Sequence, residues 1–470
     1  MNIKINYHYL YILIFASFFF FWGVNLNLVR DLTFLDFDSK NRDLLSNFRL
    51  SRLIVILIIP ILYSLIKKNI SSFKQIFNYQ KYIMFFILFV VAHYFFVKFY
   101  YNDSISKSEI FNLFYLLLLS VIYCHYRNFI QVNFAKIITC YLIIFFTFSI
   151  YVGSQIYNVG QCNIDLYIIT VIRKYLKISL SNSIYLENSH LAMMTIAVFF
   201  SSLFILLKEK KINILFLLLF SIEVIIVLNN LSTTYFVGYF FVQVFLLLFL
   251  FKKVNIKYWI ITIFFLLLNS YLFFSDKNCT TKITALKVKD IVENNLQKKD
   301  SNVTTLIYRR SIIVAKDTLL HHSLGWGIDG MDNATNNLIQ DYLDCDERAH
   351  NFNLTGKDNI VKGCNHRIPD NVGGYLDENA TYWPSKLLNL KDGLSNLFKL
   401  FTEFGIFAFI IYFYFLKYTL NIKNINSYNL FIIALFITIS IRGAGYFNGG
   451  FIFCILEFFY YQKSIQKLKY

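Results

Sequence analysis

The sequence predicts an all-α polytopic membrane protein with about twelve transmembrane helices and one large polar insert. Hydrophobic residues make up 57% of the 470 residues, and the chain has 53 Phe, 34 Tyr and only 3 Pro. Apolar runs of about 20 residues recur from one end of the chain to the other, and each can cross a bilayer as a helix. Such a helix satisfies its backbone hydrogen bonds internally, as hydrocarbon requires.

The predicted spans follow one another closely except after the ninth. They lie near residues 9–28, 52–66, 82–98, 109–124, 135–153, 190–207, 212–229, 233–251, 258–274, 394–416, 428–442 and 447–461. We therefore divide the chain into an N-terminal bundle of about nine spans (1–275), the insert (276–392) and a C-terminal bundle of about three spans (393–470). The insert is expected to be partly helical and rich in loops, because Asn, Asp and Gly crowd much of it.

The distribution of Lys and Arg predicts the orientation. Short segments on one side of the predicted spans carry many basic and almost no acidic residues, as in 67–81, 252–257 and 463–469. Because basic residues concentrate in cytoplasmic loops, we expect both termini in the cytoplasm and the insert outside. The formal net charge of +17 follows from this topology, so no nucleic-acid partner is expected.

Four cysteines fall in segments predicted to lie outside: Cys162, Cys279, Cys345 and Cys364. An oxidising compartment permits up to two disulfides among them. The predicted pair is Cys345 with Cys364, because both lie in one polar stretch, although free thiols are an equally open alternative. No CxxC or HExxH spacing occurs, and the adjacent His321 and His322 suit no zinc site, so no metal or cofactor is expected.

Two arginines in the insert are candidate phosphate ligands. Arg309 and Arg310 precede an apolar, helix-like segment that ends in a glycine-rich turn at 325–330. A guanidinium presents planar donors that suit a pyrophosphate. The competing interpretation is a solvated or snorkelling helix face. Trp326, inside the turn, offers a flat face on which a sugar could stack.

Candidate acid–base residues lie in the insert and in the tenth span. Arg348 and His350 place a cation beside an imidazole that could take a proton from a sugar hydroxyl, but lone histidines are usually structural. The pair at 366–367 is a near duplicate. Glu403 is expected about two turns inside the tenth span, where a carboxylate is costly without a polar cavity or a cation. A structural ion pair, with Arg442 as the candidate partner, and a catalytic role are equally open.

A second outside segment, residues 154–189, is the next largest after the insert. It carries Arg173, and His190 follows it at the start of the sixth span. Both residues are placed to reach the same outside cavity as the insert, so both are candidate substrate contacts.

These patterns resemble a known family. An Arg, an apolar helix and a GxG turn, then a polar loop and S-N-L-F-K-L-F-T-E-F-G-I at the start of a span, are similar to the bacterial O-antigen polymerase and ligase superfamily. The Wzy-type polymerases are the closer match. The topology resemblance covers nearly the whole chain, and the motifs cover about residues 309–330, 348–351 and 392–412. The resemblance implies a GT-C-like fold in the bacterial inner membrane, with the insert as a large periplasmic loop.

The resemblance also implies a metal-independent, inverting glycosyl transfer. Donor and acceptor would be undecaprenyl-diphosphate-linked oligosaccharides that enter from membrane lipid, and a chain-length regulator is left open as a further partner. His350 or Glu403 would orient or deprotonate the acceptor hydroxyl. The candidate substrate-binding residues are Arg309, Arg310, Arg442, Arg173, His190, Arg348 and Trp326.

Two alternatives to a polymerase remain open. A ligase would transfer finished glycan to a lipid or protein acceptor, but the ligase-like pattern has His-Asn directly before the span with the Glu, whereas His350 lies well before it. The turn at 229–234 also lacks the Arg that ligases often show. A transporter or flippase would normally have short loops and charges within its spans.

Overall fold

The computed structural model describes part of the chain, and that part is helical. It describes residues 7–20, 50–67, 81–101, 105, 107–156, 188–209, 214–229, 233–274, 303–328, 330, 331, 333–335, 337, 395–443 and 450–467. No strand occurs among these residues.

Thirteen α-helices are described within those ranges. They are α1 (Tyr7–Phe20), α2 (Ile58–Lys67), α3 (Lys81–Tyr100), α4 (Lys107–Ile156), α5 (Asn188–Phe204), α6 (Ile214–Asn229), α7 (Thr233–Leu250), α8 (Ile256–Phe274), α9 (Val303–His321), α10 (Asn396–Phe404), α11 (Ala408–Asn421), α12 (Ser427–Ile441) and α13 (Phe451–Lys467). Short 3₁₀ segments precede α2 at Leu50–Leu57, follow α7 at Phe251–Lys253 and join α10 to α11 at Gly405–Phe407.

Four helical stretches are long and apolar enough to cross a membrane. They are Lys81–Tyr100, Glu109–Phe145, Tyr235–Lys253 and Asn396–Asn421. Shorter apolar helices include α1, α12 and most of α13. The described part of the chain therefore has the all-helical, membrane-spanning character predicted from the sequence, while the count of about twelve spans stays a prediction.

The centre of the bundle is the long contact between α5 and α12. Nearly every residue of α12 is buried, and residues 192–205 of α5 and its extension are buried throughout. A helix that is apolar on all sides is suited to such an interior position. At the start of α12 a capping box fixes the first turn, because the Asn429 backbone N–H donates to Asn426 Oδ1 at 2.8 Å.

The fourth and fifth predicted spans are one helix in the structure. α4 has 50 residues, roughly 75 Å along its axis, so the predicted cytoplasmic loop between 124 and 135 is wrong. Two physical reasons explain this. No Gly or Pro interrupts residues 107–152, and the charge of Arg127, which suggested a loop, is neutralised inside the bundle.

The partner of Arg127 is Glu457 on α13. The guanidinium donates from Nε to Glu457 Oε2 at 2.9 Å and from Nη2 to Oε1 at 2.6 Å. The hydroxyls of Tyr123 and Tyr428 also donate to Oε2, and the guanidinium lies 4.0 Å from the centre of the Tyr460 ring. A fully buried carboxylate is tolerated there because the guanidinium and the two hydroxyls stabilise its charge. The cluster ties α4, α12 and α13 together.

Candidate functional site

The tenth predicted span is broken inside the bundle. α10 ends at Phe404, and Gly405 adopts φ 53° and ψ −132° before α11 begins at Ala408. A Cβ added at Gly405 would lie 2.0 Å from the Ser323 carbonyl oxygen. Only glycine fits both this backbone conformation and this close approach, so the sequence fixes the position of the break.

The glycine-rich turn of the insert docks onto the break. Gly325 and Gly327 have φ of 84° and 80°, which lets the turn run close beside α10. Three backbone hydrogen bonds join the two segments: Trp326 N–H to Thr402 O at 3.1 Å, Gly327 N–H to Glu403 O at 2.8 Å, and Ile406 N–H to Ser323 O at 2.9 Å. Backbone groups that leave a helix must find such partners when they are buried.

Glu403 is fully buried at this junction, one turn of helix from a cation. Its Oε1 lies 3.6 Å from Nζ of Lys399, which is also buried. Lys399, four residues before Glu403 on α10, is thus a cationic partner of the carboxylate, while the predicted pairing with Arg442 stays a prediction. As a carboxylate, Glu403 can accept a hydrogen bond or a proton.

Aromatic rings cover the other side of the turn. The His322 and Trp326 rings lie 4.3 Å apart between centroids, and Tyr101 stacks on Trp326 at 5.5 Å. The broad face of Trp326 is therefore covered by protein, and the indole is buried. Its Nε1 makes no hydrogen bond to any described residue. Burial raises the pKa of the Tyr101 phenol, which stays protonated at neutral pH.

His93 on α3 contacts both the glycine-rich turn and the end of α10. The sequence analysis did not identify this residue. Its Nε2 lies 2.7 Å from the Leu324 carbonyl oxygen, and its ring stacks on Phe404 at 5.3 Å. Because a carbonyl only accepts, Nε2 carries the proton and Nδ1 is left as an acceptor in the neutral ring. Nδ1 has no hydrogen-bond partner among the described residues. A single histidine in an apolar run gave no sign of this contact.

A second buried ion pair lies beside the glycine-rich turn, at the corner between α3 and α4. Lys98 Nζ at the end of α3 lies 3.0 Å from Glu109 Oε1 at the start of α4. The Tyr94 hydroxyl donates to Glu109 Oε2 at 2.8 Å. A Cβ at Gly327 would lie 3.4 Å from the Tyr94 ring. The corner between α3 and α4, which this ion pair and hydrogen bond hold together, therefore packs against the glycine-rich turn through Tyr94.

Arg442 lies at the other end of α10 from Glu403. Half-buried at the C-terminus of α12, it donates its backbone N–H to Thr438 O at 3.1 Å. Its neighbour Gly443 contacts Asn396, where a Cβ would lie 2.0 Å from the amide oxygen. The rise of α10 from Asn396 to Glu403 is roughly 10 Å. Arg442 and the carboxylate are therefore brought to the two ends of one short helix.

The remaining predicted site residues are not described with their side chains. Arg309 and Arg310 lie in α9, which leads directly into the glycine-rich turn, and His190 lies in the first turn of α5. Five residues lie outside the described ranges: Arg173, Arg348, His350, Cys345 and Cys364.

Among the residues that the structure describes, no group of three or more His, Cys, Asp or Glu is arranged to hold a metal ion. Comparison of the chain with protein-family models, with curated proteins and with solved structures finds no match. A function for this chain is therefore argued from its residues and their geometry.

Proposed function

We propose that this protein polymerises undecaprenyl-diphosphate-linked oligosaccharide repeat units into O-antigen or a related surface polysaccharide. The proposal includes a location in the bacterial inner membrane and a periplasmic insert at 276–392. One observation carries it. The glycine-rich turn, which follows the helix of Arg309 and Arg310, is hydrogen-bonded to the break beside the buried Glu403.

The proposed reaction is a single displacement. A sugar hydroxyl of the acceptor repeat attacks the anomeric carbon of the growing glycan, and the bond from that carbon to undecaprenyl diphosphate breaks with inversion. The hydroxyl proton passes to Glu403, whose Oε1 lies 3.6 Å from Lys399 Nζ, or to His350. A positioned base of this kind contributes about 10²–10⁴-fold to the rate.

Guanidinium groups neutralise the leaving diphosphate in this mechanism. Arg310 and Arg442 are the principal candidates, and Arg309 and Arg173 are the others. Fixed cations in a site that excludes water stabilise developing negative charge strongly, so a divalent metal is not required.

The surface of α3 suits the lipid part of the substrate. Phe95, Phe96 and Phe99 are exposed on the same helix that carries His93. An isoprenoid chain that lies in the bilayer can pack along this face while its diphosphate and glycan reach the junction.

A transporter is the second candidate, and the broken helix favours it. Many secondary transporters build their binding sites from discontinuous membrane helices, and the interruption at Gly405 has this character. What favours the enzyme is the long insert, part of which supplies the backbone partner of the break. Ligation of finished glycan remains the alternative within the enzyme class.

A gel of surface polysaccharide tests these three functions against one another. The gene is deleted from the source strain and then restored. We expect loss of the ladder with a single repeat still attached to its anchor. Loss of every attached repeat, with long glycan on the lipid carrier, would instead indicate a ligase, and loss of all repeats from the outer face would indicate a transporter.

Point variants test whether the arginines proposed to bind the diphosphate are needed for polymer formation. Restoration with Arg310→Ala or Arg442→Ala should leave the protein in the membrane but abolish long polymer. Lys257→Ala removes one positive charge from an exposed position in the first turn of α8 and serves as the matched control, with a normal ladder. Normal polymer from both arginine variants would refute the diphosphate role.

A further inference from the structure

One side chain of α3 joins the three segments that surround Glu403. The Nε2 atom of His93 lies 2.7 Å from the carbonyl oxygen of Leu324, in the glycine-rich turn. The imidazole ring stacks on Phe404, the last residue of α10, with 5.3 Å between ring centroids. It also meets the ring of Phe407, at the end of the 3₁₀ segment, edge-on at 5.6 Å. His93 is 5% exposed, so α3 contacts the turn and both sides of the helix break through one buried imidazole.

The hydrogen bond from His93 is the polar part of this contact. Because a carbonyl oxygen only accepts, Nε2 carries a proton and donates it. A phenylalanine at this position would supply the same flat ring to Phe404, but not the donor. The imidazole therefore adds to the ring packing a directional contact, which fixes the Leu324 carbonyl relative to α3.

The carbonyl that His93 binds lies inside the segment that is paired with the helix break. The residue before it accepts a hydrogen bond from the Ile406 N–H, and the second residue after it, Trp326, donates to Thr402 O at 3.1 Å. Thr402 directly precedes Glu403 on α10. A displacement of the turn relative to α3 is therefore passed through these backbone hydrogen bonds to the residues that carry the Glu403 carboxylate.

We infer that His93 is a positioning residue, whose hydrogen bond to the Leu324 carbonyl holds the glycine-rich turn, and through it the Glu403 carboxylate, in the geometry that glycosyl transfer needs. The role in transfer rests on the proposed function, whereas the effect on the junction holds for any function of this chain. A carboxylate displaced by about 1 Å from the reacting hydroxyl can lose about 100-fold in rate. His93 itself takes no proton in the reaction.

Two substitutions separate the hydrogen bond from the ring packing. His93→Gln removes the ring but keeps a donor, since the glutamine amide nitrogen stands as many bonds from Cα as the imidazole Nε2. His93→Phe keeps the ring and removes the donor. Phe89→Leu is the matched control on the same helix. The Phe89 ring contacts Phe407 at 5.3 Å, so this variant loses an aromatic contact with the 3₁₀ segment and retains the His93 donor.

Hydrogen exchange of the purified full-length protein, read by mass spectrometry of peptides, measures the junction without an assay of activity. In His93→Phe, peptides that contain the paired amides of Trp326, Gly327 and Ile406 should exchange about tenfold faster than in the wild type. In His93→Gln and Phe89→Leu they should exchange as in the wild type. All rates are taken relative to the amides of α12, which report opening of the whole bundle. Exchange at the junction that is no faster in His93→Phe than in His93→Gln would overturn the inference.

Kinetic measurements test the role of His93 in the proposed reaction. In proteoliposomes with undecaprenyl-diphosphate-linked single repeats, His93→Phe should lower kcat by about 100-fold with little change in KM. His93→Gln should retain most of the rate and the pH profile of the wild type. A normal rate in His93→Phe, or a rate lost in His93→Gln while its junction exchanges normally, would contradict a positioning role. A wild type that forms no polymer would instead refute the proposed function and leave the exchange result unaffected.

Discussion

Buried charged residues divide into pairs within one helix and pairs between helices. Lys399 and Glu403 are four residues apart on α10, a spacing that sequence alone shows, since such residues share a helix face. Arg127 and Glu457 are 330 residues apart, and no local pattern connects them. The sequence analysis singled out Glu403 because a carboxylate in an apolar span is costly. It missed His93, whose contact is with the distant Leu324.

Substitution of Glu403 tests whether its carboxylate is the proposed base. Glu403→Gln preserves the shape of the side chain and removes the proton acceptor, so polymer formation should fall by about 100-fold or more. Glu403→Asp retains a carboxylate and should recover part of the activity. Both are measured as the initial rate of ladder formation in membranes that contain equal amounts of protein.

The double variant Lys399→Gln/Glu403→Gln separates chemistry from stability. It removes both buried charges together, so its unfolding temperature should lie closer to the wild type than that of Glu403→Gln. Its activity should remain lost. Activity that returned together with stability would assign Glu403 a purely structural role.

The pair of Arg127 and Glu457 should contribute to stability and not to chemistry. Glu457→Gln leaves a buried guanidinium without its carboxylate, and we expect a loss of about 3–5 kcal/mol in the free energy of unfolding. Denaturant unfolding of the purified protein measures it. The double variant Arg127→Met/Glu457→Leu should recover most of the loss, whereas a further loss in the double variant would contradict this account.

At the scale of elements, the junction of α9, α10 and α11 depends on glycine. The sequence analysis singled out the glycine-rich turn at 325–330 and Glu403, a costly carboxylate in an apolar span, but it predicted no break at Gly405. It could not predict that the two segments hydrogen-bond to each other, since that pairing joins residues about 80 positions apart. The pairing holds non-helical backbone inside a helical bundle.

Gly405→Ala should disrupt the junction. The added methyl would meet the Ser323 carbonyl at 2.0 Å, and Gly327→Ala is the matched control because its nearest neighbour, a ring carbon of Tyr94, lies at 3.4 Å. Both substitutions place a side chain at a positive φ, which costs about 1–3 kcal/mol. Any further destabilisation of Gly405→Ala relative to Gly327→Ala therefore measures the lost pairing between the glycine-rich turn and the helix break. Unfolding temperatures of the two variants measure it. Equal values would show that the close approach contributes nothing.

At the scale of the whole molecule, composition predicted the class of fold better than the number of spans. The lengths of α3 and α7 follow from apolar runs bounded by polar residues. The fusion of two predicted spans in α4 does not, because the interior position of Arg127 depends on Glu457 at the other end of the chain. Of the candidate site, the turn and Glu403 were visible in the sequence, whereas the supporting side chains of α3 came only from packing.

A metal-independent reaction is a further expectation for the intact enzyme. Because the proposed diphosphate ligands are arginines, a chelator of divalent cations should leave the rate of polymer formation in purified membranes unchanged. Restoration of Mg²⁺ or Mn²⁺ after chelation is the control. A rate that fell with the chelator and returned with the metal would contradict the guanidinium mechanism.

The measurement that most directly tests the proposed activity uses the purified protein in proteoliposomes with undecaprenyl-diphosphate-linked repeat units and no other enzyme. The wild type should convert single repeats into a ladder of longer lipid-linked glycans and release undecaprenyl diphosphate, one for each bond formed. Glu403→Gln, matched in amount and fold, should leave the single repeats intact. Repeats that stayed single with the wild-type protein, or an equal ladder from both proteins, would contradict the proposed polymerase site.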